Sequence, residues 1–266
     1  MSQSTAPSSS TLRATLRVAG ILLLVLVMFP PILLAWALKA EKLRGRMVHL
    51  FYSGMRMLAG VRLNVVGEAS DLRPLMIVAN HSSYLDILVL GSIAPLSFTP
   101  KLEIRSWPVI GFFCVLGDCV FIERRPADMQ RAKGEMEARL KENKVLALFP
   151  EGTTGDGFNI KPFKSGFLNL VEAHHLPLQP VSIAYTHIAD QPLSAATREM
   201  VSWVGDASFA PHFMSLLKLP YVQVTVNFYA VERAENHDDR KALAKSCETT
   251  ITQGLHAVLK ANHVTS

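Results

Sequence analysis

The chain has 266 residues, long enough for one large α/β domain or two small ones, and at 49% apolar and 18% charged it is greasier than an average soluble protein. Its 27 Lys and Arg against 22 Asp and Glu leave a net charge of +5, which suits an anionic partner such as an acidic lipid surface, a phosphorylated substrate or an acidic carrier protein. No basic helix or aromatic-interleaved basic patch supports nucleic acid, and Cys114, Cys119 and Cys247 have no zinc spacing, so they read as buried thiols of a reducing compartment.

Residues 1–12 are rich in Ser and Thr and read as a disordered start. Val18 to Leu38 is then uncharged for 21 residues, enough at about 1.5 Å per residue to cross a bilayer core of about 30 Å. Residues 13–44 are therefore expected to anchor the chain to a membrane. Arg13 and Arg17 precede the run and Lys39, Lys42, Arg44 and Arg46 follow it, a balance that leaves the C-terminal body in the cytoplasm. Pro30-Pro31 is expected to kink or break the helix, so a single span and a pair of short interfacial helices in one leaflet both stand. Ala35-Trp36-Ala37 is a nominal cleavage site, which adds a cleaved signal as a third alternative.

From residue 45 onward strand-like and helix-like stretches alternate. Leu75–Ala79, Val120–Glu123, Val145–Phe149, Gln179–Tyr185 and Val222–Tyr229 are short apolar or β-branched runs bounded by turns. Pro126 to Asn143 places Met129, Ala132, Met136 and Leu140 on one helical face. Asp238 to Lys260 does the same with Leu243, Cys247, Ile251, Leu255 and Leu259. This pattern predicts a single α/β domain with a mostly parallel, mixed sheet flanked by helices, preceded by the hydrophobic membrane helix or helix pair. In such a fold the chemistry belongs in the loops beyond the strand C-termini.

One loop of that kind holds Asn80 and His81, directly after the strand Leu75–Ala79, with Asp86 in the first turn of the apolar helix that follows. A carboxylate there can accept a hydrogen bond from one imidazole nitrogen and leave the other free as a base. A spacing of five does not align two side chains on a continuous helix, so the pair needs the loop between them. Taken alone, a His and an Asp at this spacing more often satisfy a helix end. Two further stretches shift that balance: Phe149-Pro150-Glu151-Gly152-Thr153-Thr154, which also follows a strand, and Phe121-Ile122-Glu123-Arg124.

In this order the blocks resemble the acyltransferase family of bacterial 1-acylglycerol-3-phosphate acyltransferases and related lysolipid acyltransferases. Asn80-His81 to Asp86 is similar to the family's N-H-x-x-x-x-D block, Phe121 to Arg124 to F-I-x-R, and Phe149 to Thr153 to F-P-E-G-T. Leu176-Pro177 to Ile183 resembles a fourth, proline-containing block. The likeness covers about residues 45 to 190, and it implies an acyltransferase domain over 45–266 with its motif core at about 75–190. It implies His81 as general base on a lysolipid hydroxyl, Asp86 as the group that orients and supports the imidazole, and Asn80, Arg124, Glu151, Gly152, Thr153, Thr154 and Lys164 as the acceptor-binding set. No bound cofactor or metal is implied. The co-substrate would be an acyl thioester of acyl carrier protein or coenzyme A, and the partners a membrane lipid acceptor and an anionic membrane surface, placing the protein at a bacterial inner membrane.

Phosphatidate-forming members commonly carry Arg or Ser after F-P-E-G-T, whereas Thr154 stands here, so one guanidinium is missing from the presumed head-group site. Thr154-Gly155-Asp156-Gly157, Lys161 to Lys164, Trp203 to Asp206 and Pro211-His212 look more like the lyso-ornithine lipid acyltransferase branch. Asp118 stands where the family has a glycine before F-I-x-R. A serine hydrolase would want G-x-S-x-G, which is absent, and adjacent His174-His175 has no zinc-binding company. The remaining alternative is a non-catalytic membrane adaptor on the same fold, which has no need to keep His81, Asp86 and Glu151 together.

Overall fold

The computed structural model describes residues 9–123, 125–205 and 207–265. In chain order the elements are α1 (Thr11–Ala37), α2 (Glu41–Leu58), β1 (Val61–Val66), β2 (Leu75–Ala79), α3 (Leu85–Gly91), β3 (Ser97–Phe98), α4 (Ile110–Leu116), α5 (Pro126–Lys141) and β4 (Val145–Leu148). They continue with α6 (Asn169–Ala173), β5 (Leu178–Ile188), β6 (Gln191–Pro192), α7 (Phe209–Lys218), β7 (Val222–Phe228) and α8 (Arg240–Ala261).

The strands form one sheet in the order β1-β7-β5-β2-β4-β3, with β6 on β5. The β1/β7, β5/β2, β2/β4 and β4/β3 pairs are parallel, while β7 and β6 run antiparallel to β5. The sheet is thus mixed and mostly parallel, as the alternating pattern predicts. Every residue of β2 is buried, because both faces are covered: Leu75, Ile77 and Ala79 join the core beneath α2 and α3, while Met76 and Val78 join the core beneath α5 and α8. A strand buried on both sides reads as an unbroken apolar run.

Two expectations, a strand at Val120–Glu123 and a helix broken at Pro30-Pro31, are corrected. Val120–Glu123 is not a strand: it follows the sheet edge through the Val120 N–H to the Phe98 carbonyl (2.9 Å), the Ile122 N–H to the Pro100 carbonyl (2.8 Å) and one bridge, Lys101 to Ile122, too few pairs for a ladder beside a two-residue β3. The dyad Pro30-Pro31 does not divide α1, which is helical from Thr11 to Ala37. The boundary expected at 44/45 falls inside α2, which packs on α1 on one side and on α3 on the other. Asp118 takes the left-handed conformation (φ 62°) at the position of the family glycine, and its carboxylate collects Arg139 at 3.2 Å, Arg44 at 3.7 Å and Lys144. All three cysteines are free thiols, with Cys119 and Cys247 buried and Cys114 partly so.

Helix α1 is apolar on every side from Val18 onward, yet it has two distinct faces. Ala14, Val18, Ile21, Val25, Met28 and Ile32 form a stripe at alternating spacings of four and three that packs into the core. Gly20 lies under Leu58 and Gly54 under Leu24, so α1 and α2 approach closely at both crossings. Leu12, Leu16, Leu22, Leu23, Leu26 and Leu34 are exposed on the other side. Both halves of α1 are tied to the same body. Arg17 donates to the carbonyls of Leu217, Leu219 and Pro220 (2.7 to 3.0 Å) at the end of α7, and Phe29 contacts Phe112 and Phe113 of α4.

Candidate active site

Strands β2 and β4 are parallel neighbours, so the loops leaving their C-terminal ends lie side by side, which is where an α/β sheet places its site. Asn80 opens the first loop and is fastened to β5. Its Nδ2 donates to the Ile183 carbonyl (2.9 Å) and the Ile183 N–H donates to its Oδ1 (2.8 Å). The loop then turns His81 toward Asp86, with His81 Nδ1 at 2.8 Å from Asp86 Oδ2. The same oxygen accepts the N–H groups of Ser82 (2.8 Å) and Ser83 (3.0 Å), while Oδ1 accepts the Tyr185 hydroxyl (2.7 Å).

Asp86 has no solvent exposure, so it depends on these four partners. With backbone donors already on Oδ2, the consistent tautomer has the proton on His81 Nδ1 and the lone pair on Nε2. Burial, reinforced by the Asp86 carboxylate, pushes the Tyr185 phenol well up, so Tyr185 remains a donor. The imidazole stacks on Phe149, ring centroids 4.1 Å apart and planes 16° apart, which holds its orientation while 19% of the side chain stays accessible.

The second loop clasps the first. Glu151 is buried, with Oε1 accepting the His81 N–H (2.7 Å) and Oε2 the Lys161 N–H (2.9 Å). Burial raises its carboxyl pKa, against the lowering effect of these two donors and of His81. In return the Gly155 N–H donates to the His81 carbonyl (2.7 Å). Gly152 has φ 69°, a backbone conformation that glycine adopts without strain, and the Lys164 ammonium lies against this turn.

Among the residues expected to bind the acceptor, the structure thus divides two kinds. Lys164 and the partly buried Thr153 lie at the turn with their side chains uncommitted to the main chain of the first loop. Asn80, Glu151 and Thr154 have their polar atoms engaged by protein: Asn80 and Glu151 as above, and Thr154 through its hydroxyl to the Trp203 carbonyl. These contacts hold the two loops against each other, against β5 and against the Trp203 segment. Arg124 lies outside the described residues. Sequence reasoning missed Tyr185, 99 residues from Asp86, and it singled out Trp203 to Asp206 without seeing that the Trp203 N–H donates to the Ser82 carbonyl (2.8 Å) beside His81. Among the described residues no group of three or more His, Cys, Asp or Glu is arranged to hold a metal ion.

A lyso-ornithine lipid O-acyltransferase of Brucella abortus is 34% identical to this chain over 262 residues, spanning 96% of this chain and 98% of its own. The chain belongs to the Acyltransferase family. The Acyltransferase family model matches residues 62–184, which include the His81 and Glu151 loops. A second lyso-ornithine lipid O-acyltransferase, from Rhizobium meliloti, is 34% identical over 201 residues, 71% of this chain and 68% of its own. The fold matches that of the 1-acyl-sn-glycerophosphate acyltransferase PlsC of Thermotoga maritima, with a TM-score of 0.66 at 19% identity, covering 91% of this chain and 97% of that one. As a member of the Acyltransferase family the protein is an enzyme, and nothing in these relatives supports the non-catalytic adaptor. Family membership together with the exposed apolar face of α1 makes it a membrane-associated acyltransferase.

Proposed function

We propose that this acyltransferase moves a fatty acyl group from an acyl thioester to the free hydroxyl of a lysolipid, with lyso-ornithine lipid as acceptor ahead of 1-acylglycerol-3-phosphate. The observation that carries this is the His81–Asp86 contact of 2.8 Å, with a carboxylate held by three further donors. His81 Nε2 takes the proton from the acceptor hydroxyl as its oxygen attacks the thioester carbonyl. Asp86 supports the imidazolium that forms, and the proton then passes to the departing thiolate. The acceptor oxygen is itself the nucleophile, so no covalent acyl-enzyme is needed.

Lys164, beside the Gly152 turn, and Arg124 are assigned to the polar head of the acceptor. Asn80, Glu151 and the Gly155 N–H act one step back by fixing the loop that carries His81. The acceptor preference rests on the two lyso-ornithine lipid relatives and on Thr154 in place of a phosphate-binding arginine. Acyl carrier protein and coenzyme A are both anionic and both suit a chain of net charge +5.

Because α1 is fastened to the body near both ends, its exposed leucine face is proposed to lie on the membrane as part of a monotopic surface. A site on the cytoplasmic side of a bacterial inner membrane is part of this reading, supported by the balance of Lys and Arg on either side of the apolar run. The experiment is a transfer assay of detergent-solubilised protein with lyso-ornithine lipid and lysophosphatidate, each with acyl carrier protein and coenzyme A donors. Transfer to lyso-ornithine lipid at the higher kcat/KM is expected; transfer to neither lysolipid with either donor would overturn the reading.

A further inference from the structure

The segment Arg198–Trp203 lies across both loops of the site. Trp203 N–H donates to the Ser82 carbonyl (2.8 Å), one residue from His81, and the Trp203 carbonyl accepts the Thr154 hydroxyl. Ser202 Oγ donates to the Asp156 carbonyl (3.1 Å) and Arg198 pairs with the Asp156 carboxylate at 3.1 Å. Gly157, at φ 80°, leaves no room for a Cβ because Ser202 Oγ would stand 2.9 Å from it. Five separate features therefore hold this strap against the site, and none of them is needed to build the sheet.

What the strap delivers is an indole ring. Trp203 meets Tyr84, three residues from His81, edge-on at 5.8 Å, and Trp107 at 6.5 Å and 75°. Both tryptophans keep part of their surface in solvent. Tyr84 is itself held by His212 at 2.8 Å, which in turn is bonded to the Glu199 carbonyl of the strap at 3.0 Å. Among aromatic side chains the indole face is the strongest partner for an organic ammonium. A phosphate would want a guanidinium in this loop, and the corresponding position, Thr154, is spent on fastening the strap.

We propose that Trp203 is a specificity-determining residue whose ring receives an ammonium group of the acceptor head, and that Thr154 is the positioning residue that sets it there. This rests on the lysolipid reading of the site and names the chemical class of head within it: an amino-acid head bearing a free ammonium, in preference to a phosphate monoester.

The test measures kcat/KM on three acceptors, lyso-ornithine lipid, its N-acetylated derivative with the ammonium neutralised, and lysophosphatidate. The proteins compared are wild type, Trp203→Leu, Trp203→Phe, Thr154→Val and Thr154→Ser. Trp203→Leu is expected to lose about five- to tenfold on the free-ammonium acceptor, the scale of a partly desolvated cation–π contact, and less than about twofold on the other two. Trp203→Phe should retain most of the preference, Thr154→Val should follow Trp203→Leu in direction, and Thr154→Ser should behave as wild type. Equal losses on all three acceptors, or an unchanged preference in Trp203→Leu, would overturn the proposal. Wild-type transfer to none of the three would overturn the lysolipid reading, and this proposal with it.

Discussion

Asp86→Asn separates the charge of the carboxylate from its shape. The three donors on Oδ2, from His81, Ser82 and Ser83, can all be kept by the amide oxygen of asparagine. The amide NH₂ then occupies the Oδ1 position, where the Tyr185 hydroxyl turns from donor to acceptor. The variant should therefore fold, and its melting temperature should stay within a few degrees of wild type. Its defect lies in the transition state, where an imidazolium forms beside a neutral partner. Two unit charges about 4 Å apart at an effective dielectric constant near 20 interact by about 4 kcal/mol, which corresponds to roughly 10³-fold in rate. The assay is initial-rate acyl transfer at saturating acceptor, with thermal unfolding on the same preparation. A folded Asp86→Asn enzyme within tenfold of wild-type kcat would refute the assignment of Asp86 as the support of a charged imidazole.

Tyr185→Phe removes the hydroxyl donor to Oδ1 of a fully buried carboxylate, and should cost about 1.5 to 3 kcal/mol of stability, read from denaturant unfolding. Glu151→Gln places an NH₂ against one of two backbone N–H groups, His81 or Lys161. It should lower stability by about 1 to 3 kcal/mol, and kcat falls because the His81 loop loosens; unchanged melting and turnover would remove Glu151 as the brace. Arg17→Ala leaves three carbonyls at the end of α7 without their cationic partner, so the melting temperature should drop by several degrees. A chain starting near Lys42 should leave the membrane fraction more readily than the full chain, and its body should also be less stable because the core stripe of α1 is gone; equally tight membrane association would shift the anchor to apolar surface elsewhere, such as Trp107–Leu116.

The His81 loop was legible because its parts are local: a strand buried on both faces, a polar turn and a carboxylate five residues on. The Glu151 loop was legible for the same reason, but what Glu151 does was not. Its partners are main-chain N–H groups 70 residues upstream and 10 downstream, contacts that no side-chain pattern encodes. Tyr185 was invisible as a site residue because a tyrosine in an apolar strand reads as core, and only the parallel pairing of β2 with β5 brings it onto Asp86. Strand β1 was missed although Val61, Leu63 and Val65 alternate with Arg62 and Asn64: it lies at the sheet edge with only Val61 of its six residues buried, so it lacks the continuous apolar run that marks the central strands. The integrity of α1 across Pro30-Pro31 was missed because packing of its heptad-like stripe on α2 outweighs local propensity.

The most direct measurement is the turnover of His81→Ala, purified from the membrane fraction and shown to unfold cooperatively near the wild-type temperature. Removal of the base should lower kcat by about 10²-fold or more on every lysolipid that the wild type accepts, with little change in acceptor KM. A folded, membrane-bound His81→Ala enzyme that transfers acyl groups at a near-normal rate would contradict the account.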